Sequence, residues 1–344
     1  MIRLAVVIGL ALVAPALAAA ADRDEIYQQL MRHPARQPAT WSEWAAKPAA
    51  QRVAPAPPIL LDYLHKDNEH QGWAERPDAA GIDPAFYSDV AAALSGMPAI
   101  VKRHFEAHAV GVFLVRNLGG TAYGEMLIED AKVRRGLIVL DVGSLDKAAN
   151  AWATWRERSP FSDSESIQIE ATIERDADNT RSQAIQYILL HEIAHLVGAA
   201  QRQHPDWNKN EDPANYPYSR LSWRMDGKAP ASRYDGAFPL RARVGYYKFK
   251  AASLKSEDIE SVYRQFGRSD FVSLYASTNM FDDFAETYAM YVHVVLQQKP
   301  WRLVIRQGDR ELMRIDSPIL EERCRQKLDY FEKLLGRGPP GGRQ

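Results

Sequence analysis

Apolar positions recur with two different periods along this chain. Between Ser166 and Glu174 they alternate: Ile167, Ile169, Ala171 and Ile173 are apolar, with Gln168, Glu170 and Thr172 between them. Alternation of that kind predicts a half-buried strand. From Thr180 the period lengthens. Ile185, Ile188, Leu189, Ile193, Leu196 and Val197 cover most sides of a helix, which should therefore be buried. Thr180 with Gln183 three residues on forms a capping box at its start, and Gly198 supplies a stop. Helical spacing also marks residues 22–33, 84–95, 99–107, 149–158, 255–266, 281–297 and 320–335. Residues 110–118, 123–128 and 137–142 read as strands, with Gly119-Gly120 as a turn. The polar stretch 201–239 reads as long loops, which in compact domains are often functional. No internal repeat of fixed period is visible. Helices and strands in this order predict an α+β fold with a small mixed sheet.

The two ends change the domain picture. Residues 1–20 have a signal-peptide layout: Arg3, an apolar run from Leu4 to Val13, Pro15, then the small-x-small site Ala16-Leu17-Ala18. Removal of that leader implies a periplasmic or secreted protein without stable membrane insertion. Residues 21–58 are rich in proline and alanine. Their density of prolines disfavours packed structure and predicts an extended linker, or a pro-region or lid over a site, carrying Trp41 and Trp44. Folded structure is expected over 59–336 and a disordered tail over 337–344.

Composition narrows the function. Of 344 residues, 43 are Lys or Arg and 44 are Asp or Glu, so no basic excess points to nucleic acid. With 46% hydrophobic residues the chain can bury a substantial core. Cys324 is the single cysteine, so no internal disulfide supports the fold.

The chemistry concentrates in His191-Glu192-Ile193-Ala194-His195. Histidines four apart lie on one face of a helix, one turn above the other, and can hold one Zn²⁺. Glu192, rotated away from both, can take a proton from a metal-bound water. A catalytic zinc needs a third protein ligand. Position 201, where a third histidine would follow in a metzincin pattern, is Gln, and His204 lies three residues further on. The stronger source is the helix beginning at Phe281. Asp282 and Glu286 are four apart on one face of it, and carboxylates on an apolar helix need a partner. One can ligate the metal while the other accepts the N–H of a ligand histidine. Capping of the helix near Thr278 or Asn279 is the alternative role, and it suits Asp283 better than Glu286.

HEIAH followed by a carboxylate helix resembles the gluzincin metallopeptidases. The run from Tyr275 to Glu286 is similar to the branch of anthrax-lethal-factor-like and related bacterial zinc peptidases. That resemblance implies a zincin-like fold, with Asp282 as the zinc ligand, Glu286 supporting a histidine and Tyr275 stabilising the oxyanion. The chain departs from the family in having Asp282 where Glu is usual, which leaves open whether Asp282 or Glu286 reaches the metal. Together these features lead us to expect a zinc metallopeptidase acting on a peptide or protein substrate, with Glu192 as general base. A non-catalytic zinc-binding or scaffold protein is the alternative.

Overall fold

The computed structural model describes residues 25–81, 83–129, 132–162, 167–207, 209–246 and 254–337. The expected signal peptide at 1–20 and the tail from 338 lie outside these residues. Among the described residues no helix is long and apolar enough to cross a membrane.

The fold is α+β, with small sheets. The elements that position the site are helix α1 over residues 25–31, then α2 (Ser42–Ala46), β1 (Val53–Pro55), α3 (Pro58–Gln71), β2 (Asp78–Ala79), α4 (Pro84–Ser95), α5 (Ala99–His108), β3 (Ala109–Arg116), β4 (Ala122–Glu129) and β5 (Lys132–Asp141). After them come α6 (Ala149–Arg158), β6 (Ile167–Thr172), α7 (Arg181–Ala200), the hairpin β7 (Trp223–Asp226)–β8 (Ala229–Ser232), α8 (Ile259–Phe266), α9 (Met280–Met290), the hairpin β9 (Arg302–Gln307)–β10 (Arg310–Asp316) and α10 (Arg325–Leu335).

The main sheet runs β1-β3-β5-β4, with β2 paired to the far end of β3. β3 is parallel to both β1 and β5, and β4 closes one side antiparallel to β5. β3 reads as an unbroken apolar run because both faces of the sheet are covered. On one face Val112, Leu114, Ile138 and Leu140 join the large core built around α7. On the other, Val110, Phe113, Val139 and Leu137 pack with Trp41, Leu60 and Leu64.

That second face corrects the expectation of an extended linker over 21–58. Trp41 is only 1% exposed, its ring 5.0 Å from Phe113 and its Nε1 donating to Ala35 O at 2.8 Å. The Arg52 guanidinium donates to the carbonyls of Ala45, Lys47, Glu106 and Ala109. The prolines shape short 3₁₀ turns, Pro34–Arg36 and Pro38–Trp41, each beginning at a proline whose missing N–H costs nothing there.

The helix with the HEIAH motif sits very close to the sheet. A Cβ on Gly136 of β5 would stand 2.4 Å from Leu196 Cδ2 and 2.5 Å from Glu125 O, so only glycine fits where α7 crosses. Thr180 is the N-cap of α7 as expected, but its side chain makes no capping bond. Gly198 does not end the helix, which runs to Ala200. Its role is closeness: a Cβ there would meet His204 Nε2 at 2.6 Å and Phe284 Cδ1 at 2.9 Å. α9 packs along α7, which sets its first two turns opposite the motif.

A second sheet runs β10-β9-β6. The strand expected at 166–174 is β6, which pairs antiparallel with β9; residue 166 lies outside the described residues. The hairpin β9–β10, turning at Gly308 with φ +57°, was not expected from the pattern. Nor was β7–β8, which lies inside the stretch expected to be loop.

Candidate metal centre

His191 and His195 project from the same face of α7, their rings 4.6 Å apart and nearly perpendicular. Their Nε2 atoms are 3.0 Å apart. Asp282 Oδ1, from the first turn of α9, lies 3.5 Å from His191 Nε2 and 3.4 Å from His195 Nε2. Three donor atoms thus form a near-equilateral triangle, and the group can hold a metal ion. A tetrahedral ion with bonds of about 2.0–2.2 Å spaces its ligands by roughly 3.3–3.6 Å, close to these three edges.

Each corner is held from behind. Asn279 caps α9 by accepting from the backbone N–H of Phe281 and Asp282. The Asn279 Nδ2 (2.6 Å) and Thr278 Oγ1 (3.1 Å) donate to Asp282 Oδ2. One carboxylate oxygen is therefore tied to the helix cap, and the other faces the two imidazoles. Glu286 lies behind His191 rather than in the triangle: its Oε1 accepts from His191 Nδ1 at 2.9 Å. Glu286 is fully buried. Ser273 Oγ donates to its Oε2 at 2.7 Å, and Arg156 holds both oxygens at 3.1 and 2.9 Å. Arg156 also donates to Glu157 Oε1 at 2.9 Å, so one guanidinium joins two buried carboxylates.

The electrostatics follow from these contacts. Burial works against the charge on His191, but the carboxylates of Asp282 and Glu286 outweigh it and raise the ring to about 10. Burial would raise Asp282, yet the two histidines hold it well below its ordinary range. Glu286 is likewise lowered, to about 2, because Arg156 and His191 outweigh its burial. The site is thus built for a positive charge between the histidines and Asp282, whether proton or metal.

Glu192 is buried outside the triangle and lines the adjoining cavity. Burial raises its carboxyl, with His191 and His195 opposing. A Cβ on Gly124 of β4 would stand 3.1 Å from Glu192 Oε2, so that strand passes directly over the carboxylate. The Tyr275 ring stacks on His191, 5.5 Å away and 19° from parallel. His204 is outside the group: its Nδ1 faces Pro205 O at 2.8 Å, its ring stands edge-on to Phe281, and burial pushes it down to about 4. Asp283 caps nothing; it accepts from Trp223 Nε1 at 2.9 Å and Lys327 Nζ at 2.6 Å, tying α9 to α10.

The centre opens into a cavity of about 1070 Å³. Glu192, His195, Asp282 and Trp207 form one side, and the edge strand β4 runs along it. The far wall includes Leu30 and Arg36 from the N-terminal segment, with Tyr63 and Tyr123 donating to Glu125 at 2.6 Å each.

The five residues His191, Glu192, His195, Asp282 and Glu286 converge, together with Tyr275. Arg156 and Ser273 carry no signal in the sequence, where no spacing links them to α9. The chain matches no family model, no curated protein and no solved structure.

Proposed function

We propose that this protein is a zinc-dependent peptidase of zincin-like architecture, with His191, His195 and Asp282 as the zinc ligands. One observation carries the reading: the triangle of donor atoms and the Glu192 carboxylate border the same cavity. Zinc bound there would supply a Lewis acid and acidify a water molecule.

The chain's own groups provide the rest. Glu192, raised by burial, is suited first to accept a proton from that water and then to deliver it to the leaving amine. Glu286 fixes the His191 ring by holding Nδ1–H, so that Nε2 faces the metal position. Tyr275, packed on His191, is the candidate donor to a developing oxyanion.

The substrate lies along β4. An extended peptide added to this free edge would pass over Glu192, where Gly124 keeps the backbone accessible. The outer edge of β6 is already occupied at Ala171 and just past the strand's end. Thr154 Oγ1 bonds both the N–H and the carbonyl of Ala171, and Asn150 bonds Ile173 N and both backbone groups of Glu174.

We infer from the leader-like sequence of residues 1–20 that this activity belongs in the periplasm or outside the cell, which N-terminal sequencing of the mature protein checks. For the activity, zinc-loaded protein is incubated with a mixed peptide library and the products are read by mass spectrometry. Wild type should cleave. Glu192→Gln should retain zinc and fold while losing about 10²–10⁴ in rate. Zinc binding without cleavage of any peptide would favour a non-catalytic zinc scaffold, and cleavage by Glu192→Gln at the wild-type rate would remove Glu192 from the mechanism.

A further inference from the structure

A second, smaller cavity of about 70 Å³ adjoins the first. Ala122, His191, Glu192 and Tyr275 line both, and so form the partition between them. The inner cavity is otherwise walled by Thr121, just before β4, by Trp152 and Arg156 of α6, and by Tyr187 and Ile188 of α7.

Three of the residues that line it carry a buried polar atom with no hydrogen-bond partner among the described residues: Thr121 Oγ1, Trp152 Nε1 and the Tyr187 hydroxyl. Thr121 is 6% exposed and Trp152 3%, so bulk solvent does not reach them. Buried donors are seldom left unmade, because each forfeits its full hydration. A water needs about 10–15 Å³ of such space and two to four polar partners, so the inner cavity has room for several.

The chemistry of the walls selects the occupant. An anion would face Glu192 on one side and an Arg156 already shared between Glu286 and Glu157. A cation would face the donor-only indole of Trp152 and the same guanidinium. Water can accept from Trp152 Nε1–H, exchange a bond with Thr121 Oγ1 in either direction, and donate to the Glu192 carboxylate.

We propose that the inner cavity holds ordered water that hydrogen-bonds Thr121, Trp152 and Glu192, which makes Thr121 and Trp152 positioning residues for the Glu192 carboxylate. The kinetic consequence rests on the reading of Glu192 as proton acceptor; the occupancy does not. Water pulling on one face of the carboxylate holds its rotamer and leaves the other face to the large cleft.

The test pairs high-resolution crystal structures with kinetics for wild type, Thr121→Val, Thr121→Ser and Trp152→Phe. Thr121→Val keeps the side-chain shape and removes the hydroxyl. In the wild type, water should lie within about 2.7–3.2 Å of Trp152 Nε1, Thr121 Oγ1 and a Glu192 oxygen. Thr121→Val should lose that water, turn the Glu192 carboxylate, and lower kcat about tenfold at unchanged KM and zinc content, as expected for an outer partner. Thr121→Ser should restore both water and kcat. An inner cavity that is dry and binds xenon overturns the proposal. So does a Thr121→Val protein whose Glu192 conformation is unchanged. Should wild type cleave no peptide, the peptidase reading fails, while water occupancy and the Glu192 rotamer still decide this one.

Discussion

Replacing Glu286 by glutamine removes a charge and leaves the shape. The amide oxygen can still accept from His191 Nδ1, where the carboxylate stands at 2.9 Å. The amide NH₂ then points at Ser273 Oγ and Arg156 Nη2, which donate to Oε2 at 2.7 and 2.9 Å in the wild type. The serine hydroxyl can turn to accept, but the guanidinium cannot, so Arg156 keeps Glu157 as its remaining carboxylate partner. One unmet buried donor costs the fold about 1–3 kcal/mol. Loss of the carboxylate behind a ligand histidine should weaken zinc binding by about 10- to 100-fold, or roughly 1.4–2.7 kcal/mol. Asp282→Ala removes a direct ligand and should cost more zinc affinity than Glu286→Gln while disturbing the fold less, because Asp282 Oδ2 bonds only the local cap. Competition with a chromogenic chelator at fixed pH reads the affinities, and circular dichroism melting reads the fold. If both variants are folded and Glu286→Gln loses more zinc affinity than Asp282→Ala, the roles assigned to the two carboxylates are reversed.

Zinc affinity should rise with pH. Metal binding must displace the proton that the carboxylates hold on His191 up to about 10, so below that pH the apparent affinity should change about tenfold per unit. Glu286, held near 2, stays ionised over pH 5–8 and adds no slope of its own. Chelator titrations across pH 5–8 that give a flat affinity would contradict this. Gly198→Ala should destabilise by about 1–3 kcal/mol through overpacking against His204 and Phe284, visible as a lowered melting temperature; an unchanged Tm would show that the loop after α7 yields freely. Trp41→Ala should cost about 3–5 kcal/mol, since it empties the space between the N-terminal segment and Phe113; a loss below about 1 kcal/mol would return that segment to the status of a linker.

Local patterns were legible where the fold is local. Helices α4 and α6 begin and end where the spacing puts them, and the pattern located β3 and β4 to within two residues but only the second half of β5. The ligand geometry was legible for a similar reason: residues four apart on a helix must share a face, so the pairs His191/His195 and Asp282/Glu286 needed no tertiary information. What their assembly required was non-local. Proline density in 34–58 suggested an extended chain because nothing nearby shows that Trp41 and Arg52 have partners more than fifty residues away, at Phe113 and Ala109. Gly198 resembled a helix stop because a glycine kept for close approach looks the same in one dimension. Arg156 serves Glu286 from 130 positions away, a pairing without periodic signature. The β9–β10 hairpin does carry a signal in the sequence, an apolar run Leu303-Val304-Ile305 ahead of the turn residues Gly308-Asp309.

Anomalous diffraction at the zinc edge, from crystals of the zinc-loaded protein, tests the central claim most directly. The expected result is a single peak about 2.0–2.2 Å from His191 Nε2, His195 Nε2 and Asp282 Oδ1, with Glu286 still on His191 Nδ1. No peak between the histidines, or a peak bonded to Glu286 with Asp282 turned away, would contradict it.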